Sequence, residues 1–129
     1  MFSSNDNQNE TFTICPDIKT VDLIPEEFDW NKQGKVTACK QQMTCNSCSI
    51  FASVGAVESA YLIHGNKKFK KNDVDISEQA IVDCFKYDVC KKGGSILSVW
   101  KIMKVQGIAD EHDSKYEGKV SWFCNFVLF

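Results

Sequence analysis

This sequence of 129 residues has few histidines, few prolines and a small net charge. The histidines are His64 and His112, and the prolines are Pro16 and Pro25. The formal net charge is −2 and the pI is about 5.6, so the charge favours neither a nucleic acid nor a membrane surface as a partner. No apolar run approaches the roughly 20 residues that a membrane-spanning helix needs.

The first residues also lack the pattern of a signal peptide. Residues 1–11 are polar, without a charged segment followed by an apolar one, and we expect a flexible, extended lead-in over residues 1–24. Seven cysteines in so short a chain nevertheless favour an oxidising compartment, and the sequon at Asn9 weakly supports this. We therefore expect a piece of a longer precursor that is secreted or lysosomal/vesicular.

The most informative segment surrounds Cys48, which follows Gln42 by six residues. A thiol at a helix N-terminus favours the thiolate form, and a nearby side-chain amide can donate a hydrogen bond to an oxyanion. This pair predicts an acyl-transfer site, whereas a buried structural thiol or a disulfide partner is the alternative interpretation of Cys48. The helix that Cys48 opens is predicted from apolar residues at helical spacing: Ile50, Val54, Val57 and Tyr61.

The composition, with 43% hydrophobic residues, suits one domain with a core, and two serines indicate further helices. Ser77 is a suitable N-cap for a short helix through Asp83. Ser95 can cap a third helix that ends at Gly107. The predicted buried stripe of that third helix consists of Ile96, Val99, Trp100 and Met103.

Six short motifs follow one another along most of the chain. They are PEEFDW at 25–30, GKVT at 34–37, Gln42 with Cys48, SEQAIVDC at 77–84, CKKGG at 90–94, and YEG at 116–118 with Cys124. In residue types and in order, these motifs resemble those of the papain family of cysteine proteases. The resemblance implies an α+β fold in which residues 25–124 form the mainly helical left-hand domain of the papain-like fold. The right-hand β domain is then missing, and residues 125–129 form an apolar tail.

The resemblance implies roles for individual residues. It makes Cys48 the nucleophile of a cysteine-type endopeptidase that acts through a thioester, with Gln42 as the oxyanion donor. It places Gly93 and Gly94 against the main chain of a peptide or protein substrate. It implies no metal and no cofactor, and leaves the oligomeric state open.

The family's catalytic histidine lies roughly 130–150 residues after the cysteine, beyond Phe129. Neither histidine of this chain suits the role. His64 follows Cys48 by 16 residues on the same predicted helix, about 24 Å away. His112 lies in a charged loop. We therefore expect the chain to be truncated before its catalytic base and inactive alone.

The remaining cysteines and one glutamate are expected to be structural. Cys15 resembles an additional bridging cysteine of mite-type members of the family, and Cys39 has no assigned partner. The family also keeps a glutamate at the position of Glu58, which favours a structural ion pair over catalysis. The disulfides implied by the resemblance are Cys45–Cys90 and Cys84–Cys124.

Three residues depart from the family pattern. Asn46 stands where the signature around the nucleophile has glycine, which predicts a strained backbone, and Ser49 stands where it has an aromatic residue. Lys92 replaces an asparagine and adds a cation beside the substrate groove. With the missing histidine, these changes support an alternative: a catalytically inactive papain-like paralogue that binds peptides or proteins through the remnant groove.

Two other chemistries remain open for the cysteines. Cys45 and Cys48 have the spacing of a thioredoxin-like redox pair, but polar residues precede them where a buried strand is expected. A zinc site is the second possibility, although its second cysteine pair is more widely spaced than usual. Its ligands would be Cys45, Cys48, Cys84 and Cys90.

Overall fold

The structure, a computed structural model, describes residues 25–65 and 69–124. The expectations for residues 1–24 and 125–129 lie outside the described residues. The described part contains no strand, only an isolated antiparallel bridge between Ile76 and Asp110. None of its helices is both long and apolar enough to cross a membrane. The helical elements are α1 (Cys48–His64), a 3₁₀ helix (Lys71–Asp73), α2 (Glu78–Val82), α3 (Val89–Lys92) and α4 (Ile96–Gln106).

Helix α1 begins at Cys48, as predicted, and ends before Gly65, whose N–H donates to the Tyr61 carbonyl at 2.9 Å. Of the apolar residues at helical spacing that predicted α1, Ile50 and Val54 are buried, whereas Tyr61 is 46% exposed. The ring of Tyr61 instead packs edge-on against Phe69, with centroids 6.3 Å apart. The next residue, Leu62, is buried, so the last turn of α1 buries a side of the helix about 100° away from Tyr61.

The predicted caps of the later helices are confirmed. Ser77 Oγ accepts a hydrogen bond from the Ala80 N–H at 3.0 Å, and Ser95 Oγ accepts one from the Ser98 N–H at 3.1 Å. Both serines have extended backbones, which is typical of N-caps. Helix α4 ends at Gly107, whose φ of 86° lies in the left-handed region that glycine adopts without strain.

Helix α3 was not predicted from the sequence. It is capped by Asp88, whose carboxylate accepts from the Lys91 N–H at 3.2 Å. A helix of four residues is too short to show a hydrophobic period, so only its cap could have indicated it.

Helix α4 buries a narrower stripe than predicted. Val99 and Met103 are buried, whereas Ile96 is 55% and Trp100 is 47% exposed. The row formed by residues 96 and 100 is turned by about 60° from the row formed by 99 and 103. Only the second row faces the core.

The core forms where α1 packs against α2 and α4. It contains side chains from these three helices, from α3 and from the segments beside them. Its buried members are Ile50, Val54, Ile76, Ile81, Val82, Phe85, Val89, Val99 and Met103.

A buried ion cluster joins α1 to the start of α2. The side chains of Glu58 and Glu78 are each 2% exposed, and both carboxylates contact the Lys40 ammonium, at 3.3 and 3.1 Å. Lys40 also pairs with the Asp75 carboxylate at 2.7 Å. Glu58 accepts a further hydrogen bond from the Ile76 N–H at 2.8 Å. The structural ion pair predicted for Glu58 is confirmed.

Protonation within this cluster depends on burial. Burial raises the pKa of Glu78 to about 7, against the opposing effect of the Lys40 ammonium. Burial alone lowers the pKa of Lys40, but the hydrogen bond to Asp75 and the charge of Glu78 together raise it above its usual range. Lys40 therefore stays charged while Glu78 titrates near neutral pH.

Candidate active site

The loop before α1 is anchored to α3 by covalent and hydrogen bonds. Cys45 forms a disulfide with Cys90. The Asn46 N–H donates to the Cys90 carbonyl at 3.0 Å, and its side-chain amide donates to the Lys91 carbonyl at 3.2 Å. These contacts hold Cys45 and Asn46, just before Cys48, against α3 itself.

The structure also contains the second expected disulfide, between Cys84 and Cys124. Together the two bridges use three of the four cysteines of the zinc alternative. They also remove Cys45 from any redox pair with Cys48. Across the part of the chain that the structure describes, no group of three His, Cys, Asp or Glu side chains is arranged to hold a metal ion.

Cys48 is the first residue of α1, and its thiol is exposed and outside any disulfide. Ser47 occupies the N-cap position but makes no side-chain capping bond, because its hydroxyl contacts Tyr116. Within residues 25–65 and 69–124, the backbone N–H of Cys48 has no hydrogen-bond acceptor. The thiol and this N–H are thus both available to a carbonyl group placed at the start of the helix.

Gln42 has a fixed side-chain amide close to this helix start. Its Nε2 donates to the Cys45 carbonyl at 2.8 Å. A side-chain amide carries two N–H groups, so one remains to donate to an oxyanion. The bond to Cys45 fixes the orientation of the amide in advance, as an oxyanion hole requires.

Backbone strain in this loop falls on Met43, not on Asn46. Among the described non-glycine residues, positive φ occurs at Met43, with 54°, and at Trp122, with 64°. The prediction of a strained Asn46 is therefore wrong. Asn46 is held by its bonds to the α3 segment, and the left-handed turn is made at Met43, beside Gln42.

The glycine pair lies beside the residue that follows Cys48. Gly93 ends α3 with a φ of 72°, and its carbonyl accepts from the Tyr87 hydroxyl at 3.2 Å. A Cβ atom on Gly94 would lie 3.0 Å from Phe85 Cζ and 3.3 Å from Ser49 Oγ. Gly94 therefore packs where a side chain would crowd its neighbours.

Two departures from the family pattern lie in this same region. The Ser49 hydroxyl is buried and has no hydrogen-bond partner among the described residues. Lys92 is exposed, and its ammonium lies 5.9 Å from the centroid of the Tyr87 ring. The cation thus rests on an aromatic face near the Gly93 turn.

Tyr116 also belongs to this site, and its contacts there were not predicted from the sequence. Its hydroxyl donates to the Gln42 carbonyl at 2.8 Å and lies 2.8 Å from Ser47 Oγ. Burial raises the pKa of Tyr116, so the phenol remains protonated at neutral pH. The YEG motif at 116–118 was its only signal, and that motif indicated no contact with Gln42 or Ser47.

Comparison with known proteins identifies the family of this chain. Residues 24–127 match the family model described as papain family cysteine protease. The chain belongs to the papain family. The helical architecture of the described residues agrees with the left-hand domain of the papain fold, and the expected fold class is confirmed by structural neighbours.

The chain is similar to papain-family members from several sources. It is 33% identical to a viral cathepsin of Spodoptera litura multicapsid nucleopolyhedrovirus, over 98% of this chain and 37% of the relative. Bromelain protease from Ananas comosus, solved with the E64 inhibitor, superposes with a TM-score of 0.66 at 31% identity, over 80% of this chain and 45% of bromelain. A structure from work on the mite allergens Blo t 1 and Der p 1 has a TM-score of 0.66 at 30% identity, over 83% of this chain and 35% of that one. The chain thus spans less than half the length of each of these relatives.

The histidines of this papain-family chain do not contact Cys48. His64 is the last residue of α1, sixteen residues after Cys48, which places it about 24 Å along the helix axis. His112 is exposed, and its Nδ1 lies 3.4 Å from Asp113 Oδ1. The structure therefore brings together Cys48, Gln42 and the Gly93–Gly94 turn, and brings no imidazole to them.

Proposed function

We propose that this chain carries the nucleophile-bearing part of a papain-family cysteine endopeptidase. The observation that supports it is the shared location of three groups. The exposed Cys48 thiol opens α1, the Gln42 amide is fixed beside that helix start, and Gly94 packs against Ser49, next to the nucleophile. A nucleophile, an oxyanion donor and a bare stretch of backbone are the parts that peptide acylation needs.

In the proposed reaction, the Cys48 thiolate attacks the scissile carbonyl carbon and a carbon–sulfur bond forms. The carbonyl oxygen becomes an oxyanion, which accepts hydrogen bonds from the second Gln42 N–H and the Cys48 backbone N–H. The carbon–nitrogen bond then breaks, and the amine leaves with a proton from an imidazolium. Water hydrolyses the resulting thioester and returns the thiol.

The imidazole is the group that His64 and His112 do not supply. We therefore propose that this chain acylates Cys48 but does not turn over, and that turnover belongs to a longer polypeptide carrying the histidine. Peptides or proteins are the proposed substrates. The two disulfides fit a secreted or lysosomal/vesicular compartment, where they persist.

An acyl-mapping experiment tests the nucleophile and the oxyanion donor together. The full chain is treated with N-acetylglycine p-nitrophenyl ester, and the adducts on its thiols are mapped by mass spectrometry. Cys39, a second exposed free thiol, is the control within the same molecule. We expect acylation at Cys48 to exceed that at Cys39 and to fall about a hundredfold in Gln42→Ala. Equal labelling of both thiols in the wild type would contradict the proposal.

A catalytically inactive, peptide-binding paralogue is the second candidate. It is favoured by the exposed Lys92 cation beside Gly93 and by Ser49, whose hydroxyl lacks a partner among the described residues. This function predicts saturable peptide binding that is unchanged in Cys48→Ala, with no acyl adduct at Cys48. Acylation of Cys48 that depends on Gln42 would exclude it.

A further inference from the structure

The Tyr116 hydroxyl joins the two segments that carry the proposed oxyanion donor and nucleophile. It donates to the Gln42 carbonyl at 2.8 Å and lies 2.8 Å from Ser47 Oγ. A phenol has a single O–H proton, which here goes to the Gln42 carbonyl. The Ser47 hydroxyl lies 3.5 Å from the Cys45 carbonyl and 2.8 Å from the Tyr116 hydroxyl, so it donates its proton in the shorter bond, to Tyr116. A directed chain of hydrogen bonds therefore runs from Ser47 through Tyr116 to Gln42.

Tyr116 is itself held from two further sides. Its ring meets the Phe51 ring edge-on, with centroids 4.9 Å apart and planes at 87°. Its backbone N–H donates to Glu111 Oε1 at 2.9 Å. The ring contact on α1 and the backbone contact with Glu111 fix where the hydroxyl can reach.

We propose that Tyr116 is a positioning residue that sets the oxyanion hole by holding the Gln42 backbone against the first turn of α1. Gln42 has two anchors: its side chain is bound to the Cys45 carbonyl and its own carbonyl to Tyr116. Removal of the Tyr116 hydroxyl releases the anchor on the Gln42 carbonyl and leaves the thiol of Cys48 in place. The inference rests on the proposed function, because it needs Gln42 to act as the oxyanion donor.

Tyr116→Phe tests this, because it removes the hydroxyl and keeps the ring against Phe51. Two reagents are compared on Cys48 in the full chain. N-acetylglycine p-nitrophenyl ester acylates through a tetrahedral oxyanion, whereas iodoacetamide alkylates without one. We expect Tyr116→Phe to slow acylation about tenfold and to leave alkylation within about twofold of the wild-type rate.

Two further variants complete the design. Gln42→Ala should lose more than Tyr116→Phe, and adding Tyr116→Phe to it should cause no further loss, since both act through one amide. Tyr61→Phe, at an exposed tyrosine of the same molecule, should acylate at the wild-type rate.

The outcomes separate this inference from the function on which it rests. Acylation at the wild-type rate in Tyr116→Phe, with slow acylation in Gln42→Ala, would overturn the role of Tyr116 and leave the proposed function standing. Equal slowing of acylation and alkylation would show a general loss of structure and would also overturn it. Wild-type acylation in Gln42→Ala would overturn the proposed function and this inference together.

Discussion

Strain and close packing beside Cys48 are concentrated in two single residues. Met43 carries a left-handed backbone next to the candidate oxyanion donor Gln42. Gly94 packs so closely against Phe85 and Ser49 that a Cβ atom there would force these neighbours to shift. Both constraints follow from local geometry, so single substitutions can test them.

Met43→Gly should stabilise the chain. A left-handed conformation costs an L-residue roughly 1–2 kcal/mol, and glycine removes this cost. Glycine also has greater freedom in the unfolded state, which offsets part of the gain in stability. We expect a net gain of about 0.5–1 kcal/mol in the free energy of unfolding, measured by urea denaturation. Met43→Ala is the control, because it removes the same side chain and keeps the strain. An equal gain in Met43→Ala would contradict the account.

Gly94→Ala should destabilise the chain, because the new Cβ would lie 3.0 Å from Phe85 Cζ and 3.3 Å from Ser49 Oγ. Overpacking of this kind costs about 1–3 kcal/mol. The matched control is Gly55→Ala in α1, where a Cβ meets nothing within 4 Å and helix propensity predicts a gain of up to about 1 kcal/mol. Melting temperatures of the two variants should therefore shift in opposite directions, and shifts of the same sign would count against this packing.

At the scale of elements, the packing of a helix depends on which of its rows of side chains faces the core. Helix α4 packs on α1 and α2 through Val99 and Met103, and its other apolar row stays exposed. Sequence periodicity identified the helix but not the row, because adjacent rows of one helix differ by only about 60°.

Val99→Ala should cost about 1–3 kcal/mol in the free energy of unfolding, since Val99 is fully buried. Val105→Ala on the same helix is the control, because Val105 is 74% exposed and exposed substitutions change stability by about 0.5 kcal/mol at most. Both are read from urea denaturation. Equal losses in the two variants would show that α4 packs in another orientation.

Much of this element-level structure could be predicted from the sequence, and the exceptions have physical causes. Helix starts at Cys48, Ser77 and Ser95 were predictable because caps and periodicity are local signals. The contact of Tyr116 with Gln42 could not be predicted, because the two residues are 74 positions apart in the sequence. The acceptor is also a backbone carbonyl, which every residue type carries. The strain at Met43 was not predicted, because the family signature has glycine at the position of Asn46 and so indicated strain there instead.

At the scale of the whole molecule, two disulfides and a buried ion cluster join distant parts of the chain. The loops closed by the disulfides have sequence separations of 45 and 40 residues. Each bridge should stabilise the fold by about 4 kcal/mol in the chain-entropy model. The cluster around Lys40 adds a dependence on pH.

Stability should fall as the pH rises from about 5 to 7. The folded-state pKa of Glu78 is raised to about 7 from 4.5, so the folded chain binds this proton more tightly than the unfolded chain. The stability that this proton adds is fully present below the unfolded-state pKa of Glu78 and is lost as the pH rises through its folded-state pKa. We expect a loss of roughly 1–3 kcal/mol over this range by urea denaturation.

Glu78→Gln should flatten this pH dependence, because it removes the titrating group while keeping its shape. Glu27→Gln is the control, since the Glu27 side chain is 71% exposed and pairs with Lys32 at the surface. It should keep the wild-type slope. A Glu78→Gln profile as steep as the wild type would assign the titration to another group.

The central proposal is that Cys48 is an acylating nucleophile for which neither His64 nor His112 serves as the catalytic base. The most direct test is nitrophenol release from excess N-acetylglycine p-nitrophenyl ester, followed in time against the Cys48→Ala variant. The account predicts a burst stoichiometric with the chain, then little further release, and no burst in Cys48→Ala. A burst that persists in Cys48→Ala, or steady turnover by the wild-type chain, would contradict it.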